Sequence, residues 1–423
     1  MKNRILLVFL ALVLAVSMVI VGACAPEEAP PAAPTEAPSA APTAAPAWEW
    51  PSMLTAVAPS IMVSAFQNTL AWTPLHEEDT GVKWRPSAEA SGGTVARWLK
   101  AGEIDFWITA YSVPPNCLEG SRGYNTREGG PFPLRVAWIS DFALGCKVVR
   151  GDSDIKTVYD IKPGAKYGVY AGSPFHVLMY KAYCAYLGMT EEELIQVPFG
   201  DDKSACRAVV DGKVDMASLT TSSAIAYEIA ANPHGIRILE YPEENIEGEK
   251  RHNAVLPVGM FGTVDFGVKE GQGVRAIINP WCYNTLSDTD AELVNRLAKW
   301  LHQNFDAYKD LGESCPRMDI KNFRDTLDLT PLPVHEGTIR YLKEIGMWTA
   351  ADDARQKYNV SLVTRYTEAY ETAIAKADKE GINVDPGNKD WTELWSNYTK
   401  EIGLPRFRIL SDEEITAELA KLK

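Results

Sequence analysis

From Pro51 onward the apolar positions of this chain fall into two alternating rhythms, a period of two and a period near 3.6, which mark strands and amphipathic helices. "MLTAVAPS" (53–60) reads as a strand, "IMVSAFQNTLAWTPLHEEDTGV" as a helix with a turn, and "KWRPSAE" as a second strand. "GGTVARWLKAG" then reads as a helix and "IDFWITA" as a third strand. Beyond a linking segment, "LRVAWISDFALGCKVVRG" (134–151), the same order returns. "KYGVYAG", "IQVPFG" and "VDMASLT" are strands, with "SPFHVLMYKAYCAYLGM" and "DKSACRAVVDG" as the helices between them. Strands alternating with helices predict α/β architecture. Two β-α-β-α-β units of similar length predict two similar lobes.

The units share wording as well as rhythm. "GEIDFWITAYS" (102–112) is echoed by "GKVDMASLTTS" (212–222), and Arg97, Gly102 and Asp105 correspond to Arg207, Gly212 and Asp215. The glycines suit helix C-caps, where a positive φ excludes most side chains. The aspartates are expected to bind the backbone at a turn and not to act as catalysts.

In open α/β sheets, ligands bind beyond the carboxyl ends of the strands. Those positions hold Thr109, Ala110, Tyr111 and Ser112 in one unit, and Thr220, Thr221, Ser222 and Ser223 in the other. The loops that open helices add Ser91, Gly92, Gly93 and Thr94, then Gly172, Ser173 and Pro174. Free N–H groups at a helix start favour an anion, although the same residues serve equally as caps. Trp107, Tyr111, Trp138, Tyr170 and Phe175 are candidates for apolar walls, since pockets combine an apolar lining with a few placed polar groups. Trp107 reads equally well as core. Phe199 and Asp201 are further candidates, and Arg85 and Arg135 are carboxylate partners by type.

The N-terminus has a different grammar. Residues 1–23 combine Lys2, Arg4 and an apolar run over 5–21, the pattern of a secretory signal. The run ends in "VGAC", which resembles the lipobox of bacterial lipoproteins and implies that Cys24 becomes a diacylated N-terminus. Residues 24–47 are then a lipidated cysteine and an Ala/Pro-rich spacer, too poor in large apolar residues to fold. The expected location is extracytoplasmic, lipid-anchored to a membrane.

A formal charge of −14 with no basic patch excludes nucleic acid as a partner, because duplex affinity depends on cationic side chains. Six cysteines follow Cys24, and none forms a C-x-x-C. Cys184 and Cys206 lie in helical patterns as buried thiols, whereas Cys117 and Cys315, in loop-like stretches, are the expected sites of oxidation. H-E-x-x-H, G-x-S-x-G and P-loop motifs are absent, and "GQGVRA" (271–276) reads as a turn. No enzyme activity, metal or cofactor is expected.

The central run from "LRVAWISDFALG" to "YKAYCAYLGM" resembles the TAXI family of TRAP-transporter solute-binding proteins. The carriers are Val148, Val149 and Arg150 on a crossing strand, the turn Asp160 to Gly164, and the loop from Val169 to Ser173. "AVVDGKVDMASLTTSSAIAYEIA" and "LPVHEGTIRYLKEIGMW" (332–348) extend the similarity. One loop departs from it: "APSIMVSAFQNTL" keeps Ser60 but lacks the family's glycine pair and tyrosines, which leaves ligand identity open.

The resemblance implies a two-lobed periplasmic-binding-protein (type II) fold with a hinged cleft. Lobe I would comprise 48–140 and 250–348, lobe II 141–249, and 349–423 a helical extension. It further implies a receptor for a small organic solute, a carboxylate or amino acid such as glutamate, delivered to the integral membrane subunits of an ion-gradient-driven TRAP transporter. A receptor for an ABC transporter or a sensor shares the fold and stays open, as does an enzyme built on it.

Overall fold

A computed structural model describes residues 48–421 except Met62, Ser173 and Val258, and excludes the side chains of 142–144 and 174. The signal segment, the lipidation site Cys24, the spacer, Ser173 and the Pro174 side chain therefore lie outside the described residues.

The first unit is β1 (Met53–Ala58), α1 (Ser64–Thr80), β2 (Lys83–Ala88), α2 (Gly92–Lys100) and β3 (Phe106–Ala110), followed by the short α3 (Pro114–Leu118). A 17-residue strand, β4 (Leu134–Arg150), leads to the second unit. That unit is β5 (Lys166–Tyr170), α4 (Pro174–Leu187), β6 (Ile195–Phe199), α5 (Asp202–Val210) and β7 (Met216–Leu219). α6 (Ala224–Ala230), β8 (Ile236–Leu239), α7 (Ile246–Val255), β9 (Met260–Thr263) and β10 (Arg275–Leu286) come next.

The two units have one topology. β1 lies between β2 and β3, all parallel, and β5 lies between β6 and β7, all parallel. The equivalent helices also start alike: Ser91 accepts the Thr94 N–H at the head of α2, and Asp201 accepts the Ser204 N–H at the head of α5. Each helix buries one face, Val95, Ala96 and Leu99 in α2, and Ala205, Cys206 and Val209 in α5. Gly102 and Gly212, which follow them, have the same φ of +70°.

β4 and β10 join the lobes. They pair antiparallel from Leu134 with Leu286 to Gly145 with Ile277, so two adjacent strands carry the chain from one lobe into the other. In the first lobe β10 also pairs with β3, while in the second the end of β4 pairs with β7 and β8. The return comes later than residue 249, because Val264, Phe266, Val268 and Ala276 pack with Val209, Ala217 and Ile225 in the second lobe. Alternate residues of β4 face opposite layers there: Cys146 and Val148 pack with α5 and α6, whereas Val149 packs with the tyrosines of α4.

The rest is helical and belongs to the first lobe. α8 (Ala291–Gln303), α9 (Phe305–Tyr308), α10 (Ile320–Leu327) and α11 (Glu336–Glu344) precede α12 (Ala350–Glu380), α13 (Lys389–Glu401) and α14 (Asp412–Lys421). The stretch that reads as one helix or two is a single 31-residue helix, opened by a Thr349–Asp352 capping box and closed at Gly381, whose φ is +70°. Its Tyr370 hydroxyl donates to the Thr126 carbonyl, the Trp391 indole to Asn125 and the Trp395 indole to Glu119. These rings share one apolar cluster with β1, β3 and α3.

The expectation of oxidised cysteines fails: all six described thiols are buried and free, with Cys117 inside α3 and Cys315 in a one-turn helix. Among the described residues no helix is long and apolar enough to cross a membrane, and no His/Cys/Asp/Glu group could hold a metal ion.

Candidate functional site

A cleft of about 420 Å³ opens between the lobes at the carboxyl ends of the parallel strands. The first lobe supplies Glu89 and Gly92 at the start of α2, Trp107, Thr109 and Ser112 from β3 and its turn, and Tyr124. The second supplies Phe175, His176 and Met179 from α4, Asp202 from α5, and Ser218 and Thr220 from β7. Gly145, Ile277, Asn279 and Trp281 of the crossing strands form its floor.

Two polar anchors are fixed there. Ser112 donates its backbone N–H to Asn279 Oδ1 (3.2 Å), and Asn279 Nδ2 donates to Ser112 Oγ (2.7 Å), which ties the first lobe's turn to β10. In the second lobe, Lys147 Nζ donates to Ser218 Oγ (3.1 Å), and Ser218 Oγ lies 2.6 Å from the Tyr167 hydroxyl. Burial lowers the Lys147 pKa to about 8. Burial also lowers that of His176, against an upward pull from Asp202, with Lys147 adding to the depression. Gly92 matters for its missing side chain: a Cβ would stand 2.3 Å from the Tyr124 hydroxyl.

The structure brings Gly92, Thr109, Ser112 and Thr220 to this cleft from both lobes, along with Trp107 and Phe175. Tyr170 borders an adjoining recess with His176, Asp202 and Ser218, and Gly172 turns beneath its ring. Ser60 and Ser222 are half-buried in turns beside the lining. Ser91 and Thr94 are spent on capping α2, where Gly93 occupies the first turn.

Three candidates are core residues instead. Tyr111 is 1% exposed, and its neighbour Ser112 faces the cleft. Trp138 lies on the face of β4 covered by α10, with its ring 4.6 Å from that of Phe323. Thr221 turns inward, donating its hydroxyl to the Phe266 carbonyl. Neither arginine borders the cleft: Arg135 donates to the Leu134 carbonyl at the remote end of β4, and Arg85 is exposed on the edge strand β2. Asp201 caps α5.

Ser218, Asn279, His176, Tyr124 and Trp281 escaped the sequence reading. Polar residues inside apolar strands were the available signal, Ser218 in "DMASLT", Asn279 in "AIINPWCY" and Lys147 in "LGCKVV".

Two lobes joined by paired crossing strands, with a cleft at the facing strand ends and a C-terminal helical region, define the periplasmic-binding-protein fold. The model of the NMT1-like family matches residues 68–346, and the chain belongs to that family. Among solved structures, the chain is similar to the periplasmic aliphatic sulphonate binding protein SsuA from Escherichia coli, at 15% identity over 75% of this chain and 88% of that one, with a TM-score of 0.37. The alkanesulfonate-binding protein SsuA from Xanthomonas axonopodis pv. citri, bound to MOPS, shares 14% identity over 75% and 96%, with a TM-score of 0.36. The second substrate binding domain of a putative amino acid ABC transporter from Streptococcus pneumoniae shares 12% over 64% and 99%, with a TM-score of 0.37. The curated proteins offer no match.

Proposed function

We propose that this chain is an extracytoplasmic receptor that binds a small organic solute between its lobes and presents it to an integral membrane transporter. One observation carries this reading: a single cleft of about 420 Å³ is walled by equivalent strand ends of two like lobes. Such a volume, with aromatic walls and a few convergent polar groups, suits one small molecule.

The solute class that the TAXI resemblance implies, a carboxylate or amino acid such as glutamate, is retained, with hydroxyl and amide groups as donors in place of the arginines. The resemblance likewise favours a TRAP partner, and the same receptor could serve an ABC transporter. Lipid anchoring through Cys24 belongs to this proposal, as do the lobe limits, with the second lobe extended to about residue 277 on the packing of Ala276.

A thermal-shift screen of organic acids, amino acids, amides and amines tests the receptor reading. A ligand of the folded state alone raises stability by about 2.7 kcal/mol at a hundredfold excess over its Kd. A chain that no solute in any of these classes stabilises is not a receptor of this kind.

A further inference from the structure

Lys147 is 0% exposed, and no carboxylate among the described residues pairs with it. Its ammonium is held by Ser218 Oγ and stands 5.0 Å from the ring centre of Tyr183 and 5.9 Å from that of Tyr167. Burying a charge without a counter-charge is costly, and tyrosine faces offset only part of that cost. The acidic residues of the cleft have other employment. Glu89 accepts the Ser91 N–H ahead of α2, and Asp202 lies exposed in the first turn of α5, where water screens it.

A hydroxyl has one hydrogen to donate and two lone pairs to accept with. Ser218 Oγ accepts from Lys147, and it accepts from Tyr167 when that phenol turns its hydrogen inward. In that orientation both lone pairs are engaged and the Ser218 hydrogen is left for the cleft. Ser112 behaves alike in the opposite lobe, since its oxygen accepts from Asn279 Nδ2 and its hydroxyl donates to no described residue. Both lobes thus offer O–H donors, and only the second has a buried cation behind its donor.

We propose that Lys147, acting through Ser218, is the specificity-determining charge of the cleft: it commits Ser218 to donate and compensates an oxyanion group of the solute, whose anionic end faces the second lobe. This rests on the receptor reading. Lys147 is a positioning residue, because Ser218 makes the contact. Carboxylates and sulfonates present the same acceptors.

The test measures, by titration calorimetry on the full chain, the binding of L-glutamate, phenylacetate and benzenesulfonate against phenylacetamide and phenethylamine. Wild type, Lys147→Met and Ser218→Ala are compared, each with its ligand-free Tm. Wild type should favour at least one acid over amide and amine by about tenfold or more, roughly 1.4 kcal/mol. Lys147→Met should abolish that preference while Tm holds or rises, as removal of an unpaired buried charge allows and loss of a structural lysine does not. Ser218→Ala should weaken the acid several-fold, and it decides the matter if Lys147→Met fails to fold.

Retention of the acid preference in Lys147→Met, or in Ser218→Ala where it must decide, overturns the proposal. So does binding of the amide or amine with no binding of any acid, an outcome that leaves the receptor reading intact. Carboxylate and sulfonate arms that separate in affinity tell the two oxyanion sources apart. Failure of every probe, whatever its charge, overturns this inference, while the receptor reading is decided separately by the thermal-shift screen.

Discussion

Asp105 and Asp215 hold the same post in the two lobes. Just ahead of β3, Asp105 Oδ2 accepts the backbone N–H of Thr55 in β1 at 2.7 Å, and just ahead of β7, Asp215 Oδ2 accepts the backbone N–H of Lys166 in β5 at 2.7 Å. Each carboxylate pins the entry of a third strand to the entry of a first. The two differ in what else they do. Asp105 also accepts from the Thr55 hydroxyl, which in turn accepts the Asp105 N–H, whereas Asp215 is exposed and makes the single side-chain bond.

That difference sets an order of effects. Asp105→Ala should lower unfolding stability by about 1.5–3 kcal/mol, the range for hydrogen bonds to charged groups, and Asp215→Ala by less. Urea titration of both variants checks it, and an equal or reversed order would show that the extra Thr55 contacts contribute nothing.

Acid should weaken the fold through buried imidazoles. His76, His252 and His335 are each at most 1% exposed, and burial lowers each pKa from 6.5 to about 4. Between pH 6.5 and 4 the unfolded chain binds protons that the folded chain refuses, so stability present above pH 6.5 is lost as the pH falls towards 4. Asp141 pulls the other way, because burial raises its pKa from 3.8 to about 6, and burial raises that of Glu119 as well, but burial also lowers those of His176 and His302, so five imidazoles stand against two carboxyls. The Tm should fall by several degrees from pH 7 to pH 5, and His252→Gln should flatten the profile. A Tm unchanged over that interval would rule out neutral buried imidazoles as its source.

These groups show where sequence patterning stops. The unit repeat, the helix start at Ser91 and the two +70° glycines were legible, because each follows from local periodicity or from backbone limits within a few residues, whereas Asp201, read as a cleft residue, caps α5. Tyr111 and Trp138 were misassigned because the face of a strand residue is set by what covers it, and α10, far along the chain, covers Trp138. Lys147 was invisible as a partner of Ser218 for the same reason: its register with β7 is a tertiary fact, with the two 71 positions apart in the chain.

The C-terminal helices should prove structural for the first lobe. Trp395 is 4% exposed, donates to the Glu119 carbonyl, and packs edge-on against Tyr370 at 4.9 Å between ring centres. Trp395→Ala should cost about 3–5 kcal/mol, as for other large aromatic truncations in a core. Its solute affinity, measured where the variant remains folded, should match wild type, since no residue of α13 lines the cleft. A large loss of affinity with little loss of stability would assign the extension a binding role.

Gly92 offers a test of the cleft wall that needs no ligand. A Cβ there would stand 2.3 Å from the Tyr124 hydroxyl oxygen but 3.4 Å from the ring carbon that carries it, so the conflict is with one atom. Gly92→Ala should therefore destabilise the protein by displacing Tyr124. Tyr124→Phe removes that atom, and the ring carbon then sits at ordinary contact distance from the new methyl group. The double variant should recover most of the Tm lost by Gly92→Ala, a non-additivity of about 0.5–3 kcal/mol of the kind contacting residues show. Additive losses in the four-protein cycle would mean that Gly92 is required for the backbone at the start of α2, and that Tyr124 does not stand against it in solution.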